Sequence, residues 1–130
     1  MGKYNHSMVN YKTLVLGAST NNQRYSFQAV VRLLEADIEV IPMGIKQGKI
    51  ADVKIVPPFS FQKDIHTVSL YLSPPKQVEY MDFIFRLKPK RVIFNPGTEN
   101  IIFSKKLSER GIFWENACNL VLLSTNQYQT

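Results

Sequence analysis

Scarcity is the first guide to this chain. Its 130 residues hold one cysteine, Cys118, and two histidines, His6 and His66. A single thiol excludes an intrachain disulfide and a cysteine-based zinc site. Two histidines exclude a histidine-rich metal centre. Long apolar runs are missing too: NLVLLS (119–124) falls far short of the roughly 20 residues that cross a bilayer. The opening MGKYNHSMVNYK has no apolar signal core, and His6 stands where a myristoylation site needs Ser or Thr. A cytoplasmic location, away from membranes, is expected. Neither the G-x-G-x-x-G spacing of a dinucleotide site nor a Walker A loop is present, so ATP or GTP hydrolysis is not expected. Basic residues outnumber acidic ones, 16 to 10, for a formal net charge of +6. They are scattered, without the run of roughly five to eight that marks a nucleic-acid patch. A small polyanion suits them better than a duplex.

What is present is regular alternation. Hydrophobic residues make up 45% and charged residues 20%, the balance of a globular protein. Residues 1–10 read as a loose polar tail and 11–130 as a single domain. KTLVLG (12–17) is a short apolar run of the kind buried in parallel sheets. Phe27, Val30, Val31 and Leu34 then recur at helical spacing, from a start near Tyr25-Ser26. IEVIP (38–42) is a second strand, stopped by Pro42. Together these make a βαβ unit of about thirty residues. After the loop MGIKQGKIA come a modest strand at 53–56 and another at IHTVSLYL (65–72). PPKQVEYMDFIFRL opens with prolines suited to a helix start, with Val78, Met81, Ile84 and Phe85 as its buried stripe. RVIFN (91–95) is a strand. A helix over 99–110 presents Ile102, Phe103 and Leu107 and ends at Gly111. IFWEN (112–116) is the last strand, and ACNLVLLST reads equally as a short helix or an extended segment. The fold class is therefore α/β: a Rossmann-like open, mostly parallel sheet of about five strands with helices on both faces.

In such a sheet ligands gather beyond the carboxyl ends of the strands. The segments there are small, polar or rich in Pro and Gly: Gly17-Ala18-Ser19-Thr20, Pro42-Met43-Gly44-Ile45-Lys46, Leu72-Ser73-Pro74-Pro75-Lys76, Asn95-Pro96-Gly97-Thr98-Glu99 and Asn116-Ala117-Cys118-Asn119. Gly17 lets backbone approach a ligand, Ser19 and Thr20 offer hydroxyls, and the helix start that follows favours a phosphate. A plain turn with a capping serine would look the same. No carboxylate ends the second strand, which disfavours a nicotinamide cofactor. Lys46 and Lys49 stand nearby instead, suited to a further phosphate or simply to solvent.

The stretches LVLGAST…RYSFQAVVRLLE…IEVIPMG, TVSLYLSPPKQVEYMDFIFRLKPKRVIFNPGTEN and NACNLVLLSTNQY closely resemble the CoA-binding domain proteins. These are small Rossmann-like proteins similar to the CoA-binding domain of the succinyl-CoA synthetase α subunit. The resemblance covers roughly 11–128, and LKPKRVIFNPGTEN is its most specific block. It implies coenzyme A as ligand, with the pyrophosphate at Gly17, Ala18 and Ser19 and at the helix start bearing Tyr25 and Ser26. It places Pro42 and Lys46 beside the adenosine end, where the lysine would meet the ribose phosphate. Ser73, Pro74 and Pro75 would pack on the nucleotide, and Asn95, Pro96, Gly97 and Glu99 would lie near the pantetheine path. Two blocks depart from the family: ENIIFSKK where members more often carry ENPELEEL, and ENACN where EACT is more usual. No histidine is placed for phosphoryl chemistry.

Three functional readings follow. The first is a non-catalytic binder of coenzyme A or an acyl-CoA, and this is the one expected. The second is an enzyme acting on a CoA thioester or using another nucleotide cofactor such as NAD(P), with Cys118, Glu99 and Glu115 as candidates. Cys118 reads more simply as a small buried residue, and Glu99 as a helix-start carboxylate. The third is a ligand-free protein-interaction module, against which the retained Gly17, Ser19, Lys46, Asn95 and Gly97 speak. Phe59, Phe113 and Trp114 either fill the core or serve a homodimer.

Overall fold

The computed structural model describes residues 9–129, so most of the tail expected over 1–10 lies outside the described residues. Seven strands and five α-helices follow in order: β1 (Thr13–Leu16), α1 (Tyr25–Glu35), β2 (Val40–Met43), β3 (Lys49–Ile50), β4 (Val53–Lys54), β5 (Thr67–Leu70), α2 (Pro74–Gln77), α3 (Met81–Leu87), β6 (Arg91–Phe94), α4 (Ile101–Glu109), β7 (Phe113–Asn116) and α5 (Asn119–Ser124). A 3₁₀ turn, Val78–Tyr80, joins α2 to α3. Five strands form one parallel sheet in the order β2-β1-β5-β6-β7. The chain runs outward from β1 to β2, then returns to β5 on the other side of β1. The order therefore reverses between β1 and β5, the place where open α/β sheets bind ligands.

Alternation across the strands separates two apolar layers. Leu14, Leu16, Val68, Leu70, Val92 and Phe94 pack with Tyr80, Phe83 and Ile84 near α3, and with Phe103 and Leu107 of α4. Val15 and Ile93 face the other way, onto Val30 and Leu33 of α1, Leu122 and Leu123 of α5, and Ile50 and Ile55 around the small hairpin. Phe94 lies edge-on to Phe103 and Trp114, with centroids 5.7 and 5.9 Å apart.

Four details differ from the sequence-based expectation. Pro42 does not stop the second strand but lies inside it, opposite Val15. β2 is an edge strand. Met43 bridges to Val56, and Pro42 O accepts the Val56 amide at 2.9 Å, so the missing N–H faces the outer side, where it disturbs no sheet pairing. The strand expected at 53–56 is half of a hairpin whose partner, β3, lies in the preceding loop. The stripe over 74–87 is Gln77, Tyr80, Phe83 and Ile84, and Val78 is 62% exposed. The 3₁₀ turn advances side chains by about 120° instead of 100°, which rotates the buried face. In α4, Phe103, Ser104 and Leu107 are buried while Ile102 is 68% exposed. Asn100 begins that helix by accepting the Phe103 amide at 3.0 Å. Its end is a Schellman closure: Gly111 N donates to Ser108 O at 3.0 Å and Ile112 N to Leu107 O at 2.9 Å.

Candidate functional site

All five exits of the parallel sheet lie on one edge, and specific contacts fasten them together. At the β1 exit Gly17 has φ +99°, and a Cβ there would stand 3.0 Å from Tyr71 O and 3.1 Å from Leu72 Cδ2. The two arms of the switch point touch only because that side chain is absent. The exit of β2 presses on the same turn from the other side. A Cβ on Gly44 would collide with Ala18 O, and one on Gly48 with Thr20 Cγ2. Lys46 sits between those two contacts, exposed, in a loop that arches against the Ala18–Thr20 turn.

The amides of Gly17 and Ala18 are not free for a ligand. Both donate to Met43 O, at 3.0 and 2.9 Å. Donors further along face outward instead. Ser19 Oγ accepts the Asn21 amide at 3.0 Å, which leaves its own hydrogen to donate. Helix α1 then starts at Tyr25, with Arg24 as its cap residue; no side chain caps it and no acidic residue occupies its first turn. Its first-turn N–H groups and the positive end of its dipole are unneutralised, whereas Asn100 caps α4. Tyr25 is exposed beside this end, and Ser26 is buried beneath it.

The β5 and β6 exits are held from within by two amides. Gln77 is fully buried; its Nε2 donates to Leu72 O at 2.8 Å and Thr98 O at 2.7 Å, and its Oε1 accepts from Asn100 Nδ2 at 3.0 Å. Asn95 is likewise buried: Nδ2 donates to Ser69 Oγ at 2.9 Å and Leu70 O at 3.0 Å, and Oδ1 accepts the Asn119 amide at 2.8 Å. Ser69 Oγ completes the set by donating to Asn119 Oδ1 at 2.9 Å. Asn119 Nδ2 alone in this network lacks an acceptor among the described residues.

The expected site residues therefore divide. Ser19, Tyr25, Lys46, Ser73, Pro75, Pro96 and Gly97 are exposed or half-exposed on the shared edge. Pro74 is half-buried at the start of α2. Ala18, Ser26, Pro42 and Asn95 are buried and shape the edge from beneath. Glu99 is exposed, but its Oε1 accepts the Gly97 amide at 2.9 Å, tightening its own turn. Gln77 and Asn119 were missed. Inside PPKQ and ENACN nothing in residue type or spacing separates a buried, fully bonded amide from a solvated one.

Titratable groups add little acid–base chemistry here. Cys118 is half-buried at the cap of α5. Burial and the neighbouring Cys118 push the Tyr71 hydroxyl far above its ordinary value. His66 precedes β5 and so lies at the opposite edge of the sheet. A four-residue strand, at about 3.3 Å per residue, keeps it roughly 13 Å from the exits.

Residues 11–124 match the family model described as CoA binding domain. Among solved structures, one described as that of an uncharacterized protein is 41% identical, with a TM-score of 0.88, covering 92% of this chain and 98% of that one. A hypothetical protein from Pyrococcus horikoshii OT3 is 27% identical, with a TM-score of 0.80 and coverages of 89% and 83%. A Thermus thermophilus protein at 17% identity and TM-score 0.80, with coverages of 91% and 90%, shares the fold. No curated protein matches the sequence.

Proposed function

Because the chain belongs to the CoA binding domain family, we propose that it binds coenzyme A or an acyl-CoA at the carboxyl edge of the sheet, as a binder and not as an enzyme. One observation carries this reading. The uncapped start of α1, the Ser19 and Thr20 hydroxyls and the Lys46 loop converge around the β1 exit. Helix N–H groups and a hydroxyl suit a pyrophosphate, and an ammonium ion without an ion pair among the described residues suits a ribose phosphate. Gly17 and Ala18 contribute close approach, since their amides are engaged by Met43 O. Ser73, Pro74 and Pro75 offer a rigid wall, and Pro96 and Gly97 an open turn, for the remainder of the ligand. Asn95 and Glu99 position that turn. The non-catalytic part is supported by layout: the described histidine, His66, and Cys118 stand at opposite edges, so they form no thiolate–imidazole pair among the described residues.

A thermal-shift titration with coenzyme A, acetyl-CoA, dephospho-coenzyme A, NAD and ATP in parallel tests the proposal. A ligand that binds the native state raises the melting temperature by mass action. A rise with coenzyme A, smaller with dephospho-coenzyme A and absent with NAD, is expected. No rise with any CoA compound would overturn it. Slow hydrolysis of acetyl-CoA by the purified chain, abolished by Cys118→Ser, would overturn the non-catalytic part alone.

A further inference from the structure

We infer that a second cleft, at the amino edge of the same sheet between β7 and α5, binds a small organic oxyanion with an apolar body. The cleft is about 510 Å³ and is lined by His66, Lys90, Arg91, Phe113, Glu115, Leu122 and Gln127. It shares no residue with the coenzyme A edge and stands independently of that reading.

Register explains its composition. Arg91 opens β6 between Thr67 on β5 and Phe113 on β7, and Glu115 follows two residues after Phe113, on the same face. Leu122 of α5 closes the other side. Arg91 is only 6% exposed, and no carboxylate among the described residues pairs with it. Its Nε donates to Thr67 Oγ1 at 3.0 Å and its Nη1 to Tyr128 O at 2.8 Å, while the guanidinium lies 4.3 Å from the Tyr128 ring centroid. Nη2 is shielded from solvent and has no acceptor among the described residues. A buried cation with one nitrogen unanswered is costly unless an anion completes it. One neighbour adds to the sign and a second responds to it. Lys90 is exposed in the same cleft, and His66 is biased toward its neutral form by burial and by the Arg91 and Lys90 charges. Two cations thus face one carboxylate, Glu115. Phe113, 59% exposed beside Arg91, and Leu122 supply the apolar part of the lining. Charge and hydrocarbon in one cleft select a carboxylate or phosphate monoester that carries an aromatic or aliphatic group. An oxygen reaching Nη2 displaces a side chain of the cleft wall.

The test is amide NMR on the full chain, with and without saturating coenzyme A, titrated with benzoate, phenyl phosphate and inorganic phosphate. Benzoate or phenyl phosphate should saturably shift the amides of Phe113, Glu115, Leu122 and Gln127, equally with coenzyme A present, and leave those of Ser19 and Tyr25 in place. Lys90→Glu, a change at an exposed side chain, should weaken that binding about tenfold. The spectrum itself reports whether the variant is folded; if it is not, Lys90→Gln gives the same reading with a smaller loss. Absence of a saturable shift with either aromatic anion, unchanged affinity in both Lys90 variants, or inorganic phosphate binding as tightly as benzoate would each overturn the inference.

Discussion

Gln77→Leu puts the internal fastening of the site to a quantitative test. Leucine matches glutamine closely in size, so the buried volume is kept and the three hydrogen bonds to Leu72 O, Thr98 O and Asn100 Nδ2 are lost. At about 1 kcal/mol each they account for about 3 kcal/mol. The buried Thr98 carbonyl left without a donor adds a penalty of about 1 kcal/mol and the half-buried Leu72 carbonyl a smaller one, while the apolar side chain returns roughly 1 kcal/mol. A net loss of about 3–4 kcal/mol is expected, equivalent to a fall in Tm of roughly 10–15 °C for a chain of this size. Urea unfolding followed by circular dichroism measures it, with Lys76→Ala on the exposed side of the same helix as the control, expected within about 0.5 kcal/mol. Coenzyme A affinity should fall with it, because the β5 and β6 exits lose their common tie. A loss below about 1 kcal/mol with an unchanged denaturant slope would refute the reasoning, since the amide would then be replaceable by hydrocarbon.

Other perturbations address the remaining contacts. Ser19→Glu places a carboxylate beside the start of α1 and should abolish coenzyme A binding while leaving the melting temperature of the free protein within a few degrees; calorimetry showing unaltered affinity would remove that turn from the site. Lys46→Ala should weaken coenzyme A more than dephospho-coenzyme A, and equal losses would sever the lysine from the ribose phosphate. His66 has a folded pKa below its unfolded value, so the unfolded chain takes up its proton first. That contribution is full above about pH 6.5 and is lost as the pH falls below it. Chemical denaturation across that range should show a flatter pH dependence in His66→Gln; identical slopes would discount the histidine.

Much of this layout is legible in the sequence. Short apolar runs located the five sheet strands to within a few residues, because burial on both faces leaves little other pattern. The convergence of their exits follows from parallel connection alone. What escaped depends on three-dimensional accidents of packing. Val78 reads as core until a 3₁₀ turn rotates it outward, and Ile102 reads as core on a helix whose buried face is Phe103, Ser104 and Leu107. The hairpin of β3 and β4 is only two residues on each side, below the length at which alternation can be seen. At the site, the family pattern named Asn95 and Gly97 but said nothing of Gln77. Its burial comes from the meeting of two loops twenty-one residues apart. The backbone pairing is equally hidden: nothing in residue type marks the Gly17 and Ala18 amides as donors to Met43 O.

The two rims of the sheet differ in a way that limits how copies of this chain can assemble. On one rim Pro42 offers no hydrogen to a newcomer, and its carbonyl is already taken by Val56. On the other rim β7 pairs only with β6 among the described strands. In the main sheet, β7 is therefore the rim without that block. A second copy joining there, related by a two-fold axis, would present its own proline-blocked rim to the outside. Pairing of two copies there would end at one ten-stranded sheet, with Pro42 at both outer rims.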